Sequence, residues 1–167
     1  GRTVGSALVQ HPLTKAVGFT GSLAGGRALF DLAAARPEPI PVYAEMGSLN
    51  PVFVLPGALE ERGEAFAQGL CGSVTLGVGQ FCTNPGLVLG LDGDSMEKFI
   101  GAAESAFSDA APATMLNPGI RDAYESGLDT FEKTDGVALL AKSSTDVKAD
   151  ATQAGAHVWT TDIDAFT

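Results

Sequence analysis

The sequence has 167 residues, of which 45% are hydrophobic and 18% charged, and its 20 acidic and 10 basic side chains give a formal charge of −10. A chain of this length and composition can bury a core without the help of disulfides or metal ions. The acidic balance excludes a nucleic-acid binder, which needs a basic patch, and the longest uncharged stretch, 65–91, is too rich in glycine to form a membrane span.

The two cysteines bear on compartment and on metal binding. Cys71 and Cys82 are eleven residues apart, with neither CxxC spacing nor a neighbouring histidine. This pattern argues against a metal site and favours a reducing compartment. With no recognisable signal peptide, we expect a cytoplasmic protein.

The first predicted elements form a βαβ unit over residues 15–44. The apolar run 16–20 predicts a strand, and apolar positions at helical spacing from Leu23 predict a helix with Ser22 as its N-cap. Pro37 and Pro39 end that helix before a second apolar run, 40–44. Two strands joined by a helix of this length predict a parallel pair.

Strands and helices continue to alternate along the rest of the chain. The class is therefore α/β, with an open, mostly parallel sheet and flanking helices. The predicted elements are a strand at 50–56, a helix at 58–74, a loop at 77–86, a strand at 87–91, helices at 94–107 and 118–132, and strands at 136–141 and 156–161.

Cys82 is the first candidate for chemistry. It lies in a glycine-rich loop beside polar Gln80, Thr83 and Asn84, where a substrate could approach a thiol nucleophile. The competing interpretation is a small buried hydrophobic residue, the common fate of a cysteine that forms no disulfide. Cys71, beside Leu70 in an amphipathic helix, takes that structural interpretation.

Glu45 is the second candidate. It ends an otherwise apolar strand, and strand ends are where sites form in α/β sheets. A carboxylate in apolar surroundings can act as a general base with a raised pKa. The alternative is a partly exposed charge or a cap for the next segment.

The third candidate is the turn at Gly21 and Ser22. Backbone N–H groups and the dipole at a helix N-terminus attract an anion such as a phosphate, and Gly21 and Gly26 would let a ligand approach the backbone. Alone this signal is weak, because the sequence contains neither GxGxxG nor GxxxxGK[ST].

Three ordered motifs then identify a resemblance. The sequence contains Phe19-Thr20-Gly21-Ser22, then Glu45-Met46-Gly47 followed by Asn50-Pro51, then Gly79-Gln80-Phe81-Cys82-Thr83. In this order and spacing they resemble an aldehyde dehydrogenase. The flanking residues most resemble the branch that acts on α-ketoglutaric semialdehyde (2,5-dioxopentanoate) and, with NADP, on long-chain fatty aldehydes.

The resemblance implies a mechanism and a set of roles. Cys82 would attack the aldehyde to give a thiohemiacetal and then a thioester, and Glu45 would activate the hydrolytic water. The Cys82 backbone N–H would supply half of an oxyanion hole. The cofactor would be NAD or NADP, and the sequence leaves the choice open. The implied cofactor contacts are Phe19, Thr20, Gly21, Ser22, Gly26 and Met46, and the implied substrate contacts are Phe81 and Thr83.

The sequence also departs from the family pattern. It reads Glu45-Met46-Gly47-Ser48-Leu49 where the family has Glu-Leu-Gly-Gly-Lys, and 37 positions separate Glu45 from Cys82. Family members are several hundred residues long, so the chain looks like an internal fragment. We expect 1–44 to be the end of the cofactor domain and 45–167 an incomplete catalytic domain. The expected partners are a small aldehyde, the remainder of the enzyme chain and, at full length, further copies of it.

Two other classes of function remain open. A cysteine acyl-transfer enzyme or hydrolase would use Cys82 and Glu45 without a nicotinamide cofactor. The sequence offers no obvious histidine base for such an enzyme, because neither His11 nor His157 has a cluster of polar residues beside it in sequence. A non-catalytic α/β module that packs on a partner would leave Cys82 inert.

Overall fold

The computed structural model describes residues 2–148 and 151–166. The chain divides into two compact units, Gly1–Ser48 and Leu49–Thr167. Helices and strands occur in both units, and this confirms the predicted α/β class.

The first unit contains the predicted βαβ arrangement. Its elements are α1 (Arg2–Gln10), β1 (Val17–Gly21), α2 (Leu23–Ala34) and β2 (Val42–Met46). The strands β1 and β2 are parallel, with Val17 opposite Val42 and Gly21 opposite Met46. The predicted parallel pair and its helical connection are therefore confirmed.

Helix α1 was not predicted, since its sequence has few local helix signals. It has no acidic residue in its first turn and no basic residue in its last. Val9 is buried, and the Arg36 guanidinium donates to Val9 O at 2.8 Å and to Thr14 O at 3.0 Å. Tertiary contacts therefore stabilise this helix more than its own propensity does.

The second unit contains the remaining elements. The predicted strands and helices all appear, each within a few residues of its expected bounds. The elements are β3 (Pro51–Val54), α3 (Pro56–Thr75), a 3₁₀ helix (Leu76–Gly79), β4 (Leu87–Gly90), α4 (Asp94–Asp109), β5 (Ala113–Thr114), α5 (Pro118–Glu132), β6 (Val137–Lys142), β7 (Gln153–Ala154), β8 (His157–Thr161) and α6 (Ile163–Phe166).

The strands of the described residues are hydrogen-bonded in four pairs rather than in one continuous sheet. The pairs β1–β2 and β3–β4 are parallel, whereas β5–β7 and β6–β8 are antiparallel. The predicted parallel arrangement therefore holds for the two pairs that a helix connects. The described part of the connection from β6 to β8 contains no α-helix, and a parallel return needs a long crossover of that kind.

Helices α3 and α4 pack against each other, and together with residues of β3 and β6 they form the core of the second unit. The Phe66 and Phe99 rings lie 5.6 Å apart between centroids, and Phe107 is only 1% exposed. Small side chains at Ala67 and Ala103 are also buried in this core. The core fixes the C-terminal end of α3, and the chain passes from there into the loop that carries Cys82.

The Tyr124 hydroxyl connects α5 to the residues around β8. It donates to Gly155 O at 2.7 Å and lies 3.0 Å from His157 Nδ1. Burial and the nearby Glu125 carboxylate raise the pKa of Tyr124 to about 12. The His157 ring is thus engaged in a contact that holds α5 against β8. This agrees with its sequence, which gave no sign of a catalytic role.

The raised Tyr124 pKa predicts a loss of stability at high pH. An unfolded tyrosine ionises near pH 10, whereas Tyr124 in the folded chain keeps its proton to about pH 12. Between these values the folded state binds more protons, so the free energy of unfolding falls as the pH rises. Urea unfolding at several pH values would measure the fall, and in Tyr124→Phe this part of it should vanish. Equal slopes in the two proteins would contradict the prediction.

Candidate active site

Cys82 lies exposed in the turn between the 3₁₀ helix and β4. Within this turn the Asn84 N–H donates to Phe81 O at 3.1 Å. The Asn50 side chain, which precedes β3, donates to Cys82 O at 2.8 Å and to Asn84 O at 2.9 Å. The candidate nucleophile is therefore on the surface of a turn whose backbone is held from inside the unit.

Two further amides attach the turn to its surroundings. Asn84 Nδ2 donates to Val74 O at 2.9 Å, near the end of α3. Gln80 Nε2 donates to Gly77 O at 2.9 Å, and Gln80 Oε1 accepts from Leu116 N at 3.0 Å. Sequence reasoning noted Gln80 and Asn84 only as polar neighbours of Cys82. It included Asn50 in the Asn50-Pro51 motif and in the predicted strand but gave its side chain no role at the Cys82 turn.

The chain enters the turn through left-handed backbone. Gly77, Val78 and Gly79 have φ angles of 58°, 58° and 70°. Glycine tolerates such angles, but a β-branched valine does so at a cost. The Phe81 ring lies over Gly77, where any side chain would collide with it. Strained backbone next to an exposed thiol is typical of a functional site.

Cys71 occupies the opposite environment. Its side chain is 8% exposed, and its Sγ lies 3.4 Å from Ala106 O, to which it donates. Burial raises the pKa of the Cys71 thiol. Its predicted structural role in the helix is confirmed, and no disulfide joins it to Cys82.

These two environments predict different thiol reactivities. Because alkylation needs an accessible thiolate, iodoacetamide near neutral pH should modify Cys82 about ten-fold or more faster than Cys71. Peptide mass spectrometry over a time course would give both rates, with Cys71→Ala as the control that leaves one thiol. Equal rates in the folded chain would contradict this arrangement.

The first unit brings Glu45 together with predicted cofactor residues. Thr20 on β1 is the register partner of Glu45 on β2, and both side chains are exposed. An open groove across the two strands is lined by Gly18, Phe19, Thr20, Tyr43, Ala44 and Glu45. The apolar surroundings expected for Glu45 are not provided by this unit, since the side chain is exposed.

The start of α2 has the predicted cap. Ser22 Oγ accepts from Gly25 N at 3.2 Å, and Ser22 O accepts from Gly26 N at 3.0 Å. The exposed first turn of α2 directs the N–H groups of Leu23 and Ala24 outward, and neither has an acceptor among the described residues. This end of the helix can therefore receive an anionic oxygen.

The glycines of this turn are explained by packing inside the unit. A Cβ on Gly21 would come within 2.6 Å of the Phe19 ring, and one on Gly25 within 3.0 Å of it. Gly26 is buried, and the Met46 thioether occupies the space that a side chain there would need. Gly26 thus lets α2 and β2 pack closely, and its contact with a cofactor stays a prediction.

Two classes of feature are absent from the described residues. In residues 2–148 and 151–166 no three His, Cys, Asp or Glu side chains are grouped so that they could hold a metal ion. Over the same ranges no helix is both long and apolar enough to cross a bilayer.

Comparisons with known proteins all point to one family. A model of the aldehyde dehydrogenase family matches residues 1–121. α-Ketoglutaric semialdehyde dehydrogenase 2 of Azospirillum brasilense is 54% identical over 82% of this chain and 26% of its own length. The α-ketoglutaric semialdehyde dehydrogenase of Acinetobacter baylyi is 48% identical over 84% of this chain and 27% of its own length.

Solved structures agree on the fold. An NAD-dependent benzaldehyde dehydrogenase from Corynebacterium glutamicum superposes with a TM-score of 0.75 at 21% identity, over 95% of this chain and 35% of that one. The chain covers only about a quarter of the length of the two α-ketoglutaric semialdehyde dehydrogenases, namely 26% and 27%.

Proposed function

The chain belongs to the aldehyde dehydrogenase family, and on that basis we propose that it carries the nucleophile of an enzyme that oxidises an aldehyde to a carboxylic acid. The observation that carries the proposal is the exposed Cys82 on a turn held by Asn50, Gln80 and Asn84. A thiol held in this way is accessible to substrate and has a defined orientation.

In this proposal Cys82 provides covalent catalysis. Its sulfur adds to the aldehyde carbon, so that a thiohemiacetal forms and negative charge develops on the former carbonyl oxygen. The Cys82 N–H is half of an oxyanion hole for that charge. A bound NAD or NADP supplies the acceptor for the hydride whose loss leaves a thioester. Phe81 and Thr83, both exposed beside Cys82, contact the substrate.

Glu45 is the general base for the second half of the reaction. Its carboxylate takes a proton from water, the water oxygen adds to the thioester carbon, and the carbon–sulfur bond breaks. The products are the carboxylic acid and the Cys82 thiolate, and Glu45 returns its proton to solvent. Support for this role comes from the position of Glu45 at the end of a parallel strand, beside residues of the proposed cofactor site.

The first turn of α2 fits the diphosphate of a dinucleotide. The N–H groups of Leu23 and Ala24 point outward at the positive end of the helix dipole, next to the exposed Ser22. Phe19, Thr20 and Gly21 lead into this turn, and Gly26 and Met46 pack beneath it. We assign these residues to the cofactor site.

The names of the two curated relatives support α-ketoglutaric semialdehyde as the aldehyde. A fatty aldehyde is the second choice within the same branch.

The proposed partner is the remainder of an enzyme chain, in line with the quarter of the relatives' length that this chain spans. Phe53 on β3 and Leu55 next to it are 70% and 69% exposed. Parallel strands are normally covered on both faces, so these side chains support a missing part of the enzyme chain as the partner. We also propose that the full-length enzyme forms homo-oligomers, and that so acidic a chain has no nucleic-acid partner. The proposed location is a reducing compartment such as the cytoplasm, which keeps Cys82 reduced.

A chimera tests the proposal. This chain replaces the matching region of the Azospirillum brasilense relative, and absorbance of the reduced nicotinamide is followed with NAD or NADP and a panel of aldehydes. Reduced cofactor formed with α-ketoglutaric semialdehyde supports the function and the substrate. Ester cleavage without any cofactor favours the cofactor-independent hydrolase. A folded chimera that does neither favours the non-catalytic module.

A further inference from the structure

One side chain fixes the backbone at Cys82 from a distant part of the chain. Asn50 Nδ2 donates to Cys82 O at 2.8 Å and to Asn84 O at 2.9 Å, across 32 and 34 residues of sequence. A primary amide has two N–H donors, and here both are used. The bonds attach the start of β3 to both ends of the Cys82–Asn84 segment.

The peptide groups on both sides of Cys82 are thereby held. Phe81 O accepts from Asn84 N at 3.1 Å, and Cys82 O accepts from Asn50. Since a trans peptide is planar, the Cys82 N–H points opposite to the Phe81 carbonyl, away from the interior of the turn. With both peptide planes fixed, the direction of the Cys82 Cα–Cβ bond is fixed as well.

Position 50 needs two properties that asparagine combines. Its φ is 47°, in the left-handed region that asparagine tolerates better than most residues. The Leu49 carbonyl before it accepts from Gly86 N at 2.8 Å, which anchors the backbone there. Glycine would meet the backbone requirement alone, and aspartate would offer no donor for the two carbonyls while its carboxyl is ionised.

We infer that Asn50 is a positioning residue for Cys82, whose side-chain amide holds the surrounding peptide groups so that the thiol is presented at the surface of the turn. The link to catalysis rests on the proposed function, whereas the hold on the turn is a property of the chain itself. Because a misplacement of about 1 Å at a reacting group can cost roughly 100-fold in rate, the loss of this hold should lower kcat more than it changes KM.

The first test measures amide hydrogen exchange in the full 167-residue chain. In Asn50→Asp the Asn84 amide should exchange about ten-fold faster near neutral pH, while the Ala103 amide in α4 is unchanged. Lowering the pH protonates the introduced carboxyl and restores one donor, so the protection should recover. Asn50→Gly, which keeps the backbone angle and has no donor, should lose protection at every pH.

Asn117→Asp is the matched control. Asn117 caps α5 by accepting from Ile120 N at 3.0 Å, which a carboxylate can also do. This variant should leave exchange at Asn84 unchanged. The inference is overturned if Asn50→Asp and Asn50→Gly both keep the protection of Asn84, or if Asn117→Asp lowers it as much.

The second test uses the chimera. Asn50→Asp should lower kcat about 10- to 100-fold, with KM for the aldehyde changed by less than about three-fold. Equal kcat in the variant and the parent chimera would overturn the link to Cys82. A parent chimera that makes no reduced cofactor would instead count against the proposed function, and the exchange measurement would still decide the role of Asn50 in the turn.

Discussion

Cys82→Ser should abolish aldehyde oxidation by the chimera, with a fall in kcat of about a thousand-fold or more. A serine hydroxyl at this position has nearly the same size, so the turn held by Asn50 should keep its shape. It is a far weaker nucleophile than a thiol, because almost none of it is ionised near neutral pH. Initial rates of reduced cofactor formation would measure the fall.

The second cysteine supplies the control for this substitution. Cys71 is buried beneath α4, so Cys71→Ala should reduce stability modestly and leave kcat close to the parent value. Comparable losses in the two variants would mean that the fall reflects folding. Full activity of Cys82→Ser would remove the nucleophile assignment and with it the proposed mechanism.

Local patterns predicted most elements of this fold because neighbouring residues determine them. The βαβ unit, the Ser22 cap and the bounds of α5 follow from apolar spacing and from capping residues close in sequence. Helix α1, the 3₁₀ helix, the four-residue helix α6 and the two-residue strands β5 and β7 were missed. The first depends on Arg36 from beyond α2, and the others are too short to show a period.

The glycines of the α2 turn show a different limit. The sequence favoured a close approach of a ligand at Gly21 and Gly26, but in the structure the Phe19 ring and the Met46 thioether lie against them. Both causes select glycine, so composition alone could not separate them. The role of Asn50 was missed for a related reason: its partners are 32 and 34 residues away, and no local pattern reports such a contact.

Glu45→Gln should separate the two halves of the proposed reaction in the chimera. Glutamine keeps the size of the side chain but cannot take a proton from water, so the thioester on Cys82 should form and then persist. We expect one equivalent of reduced cofactor in the first turnover, followed by a steady rate about 100- to 10,000-fold below that of the parent.

Rapid mixing would resolve the first turnover, and mass spectrometry of the denatured protein would show the acyl group on Cys82. The control is Glu38→Gln, the same change at an exposed glutamate whose ion pair with Lys15 is long, at 3.8 Å, and solvent-exposed. It should leave both phases unchanged. If Glu45→Gln slows the first turnover as much as the steady rate and no acyl group accumulates, then Glu45 acts before the thioester forms, and the base for hydrolysis must be another group.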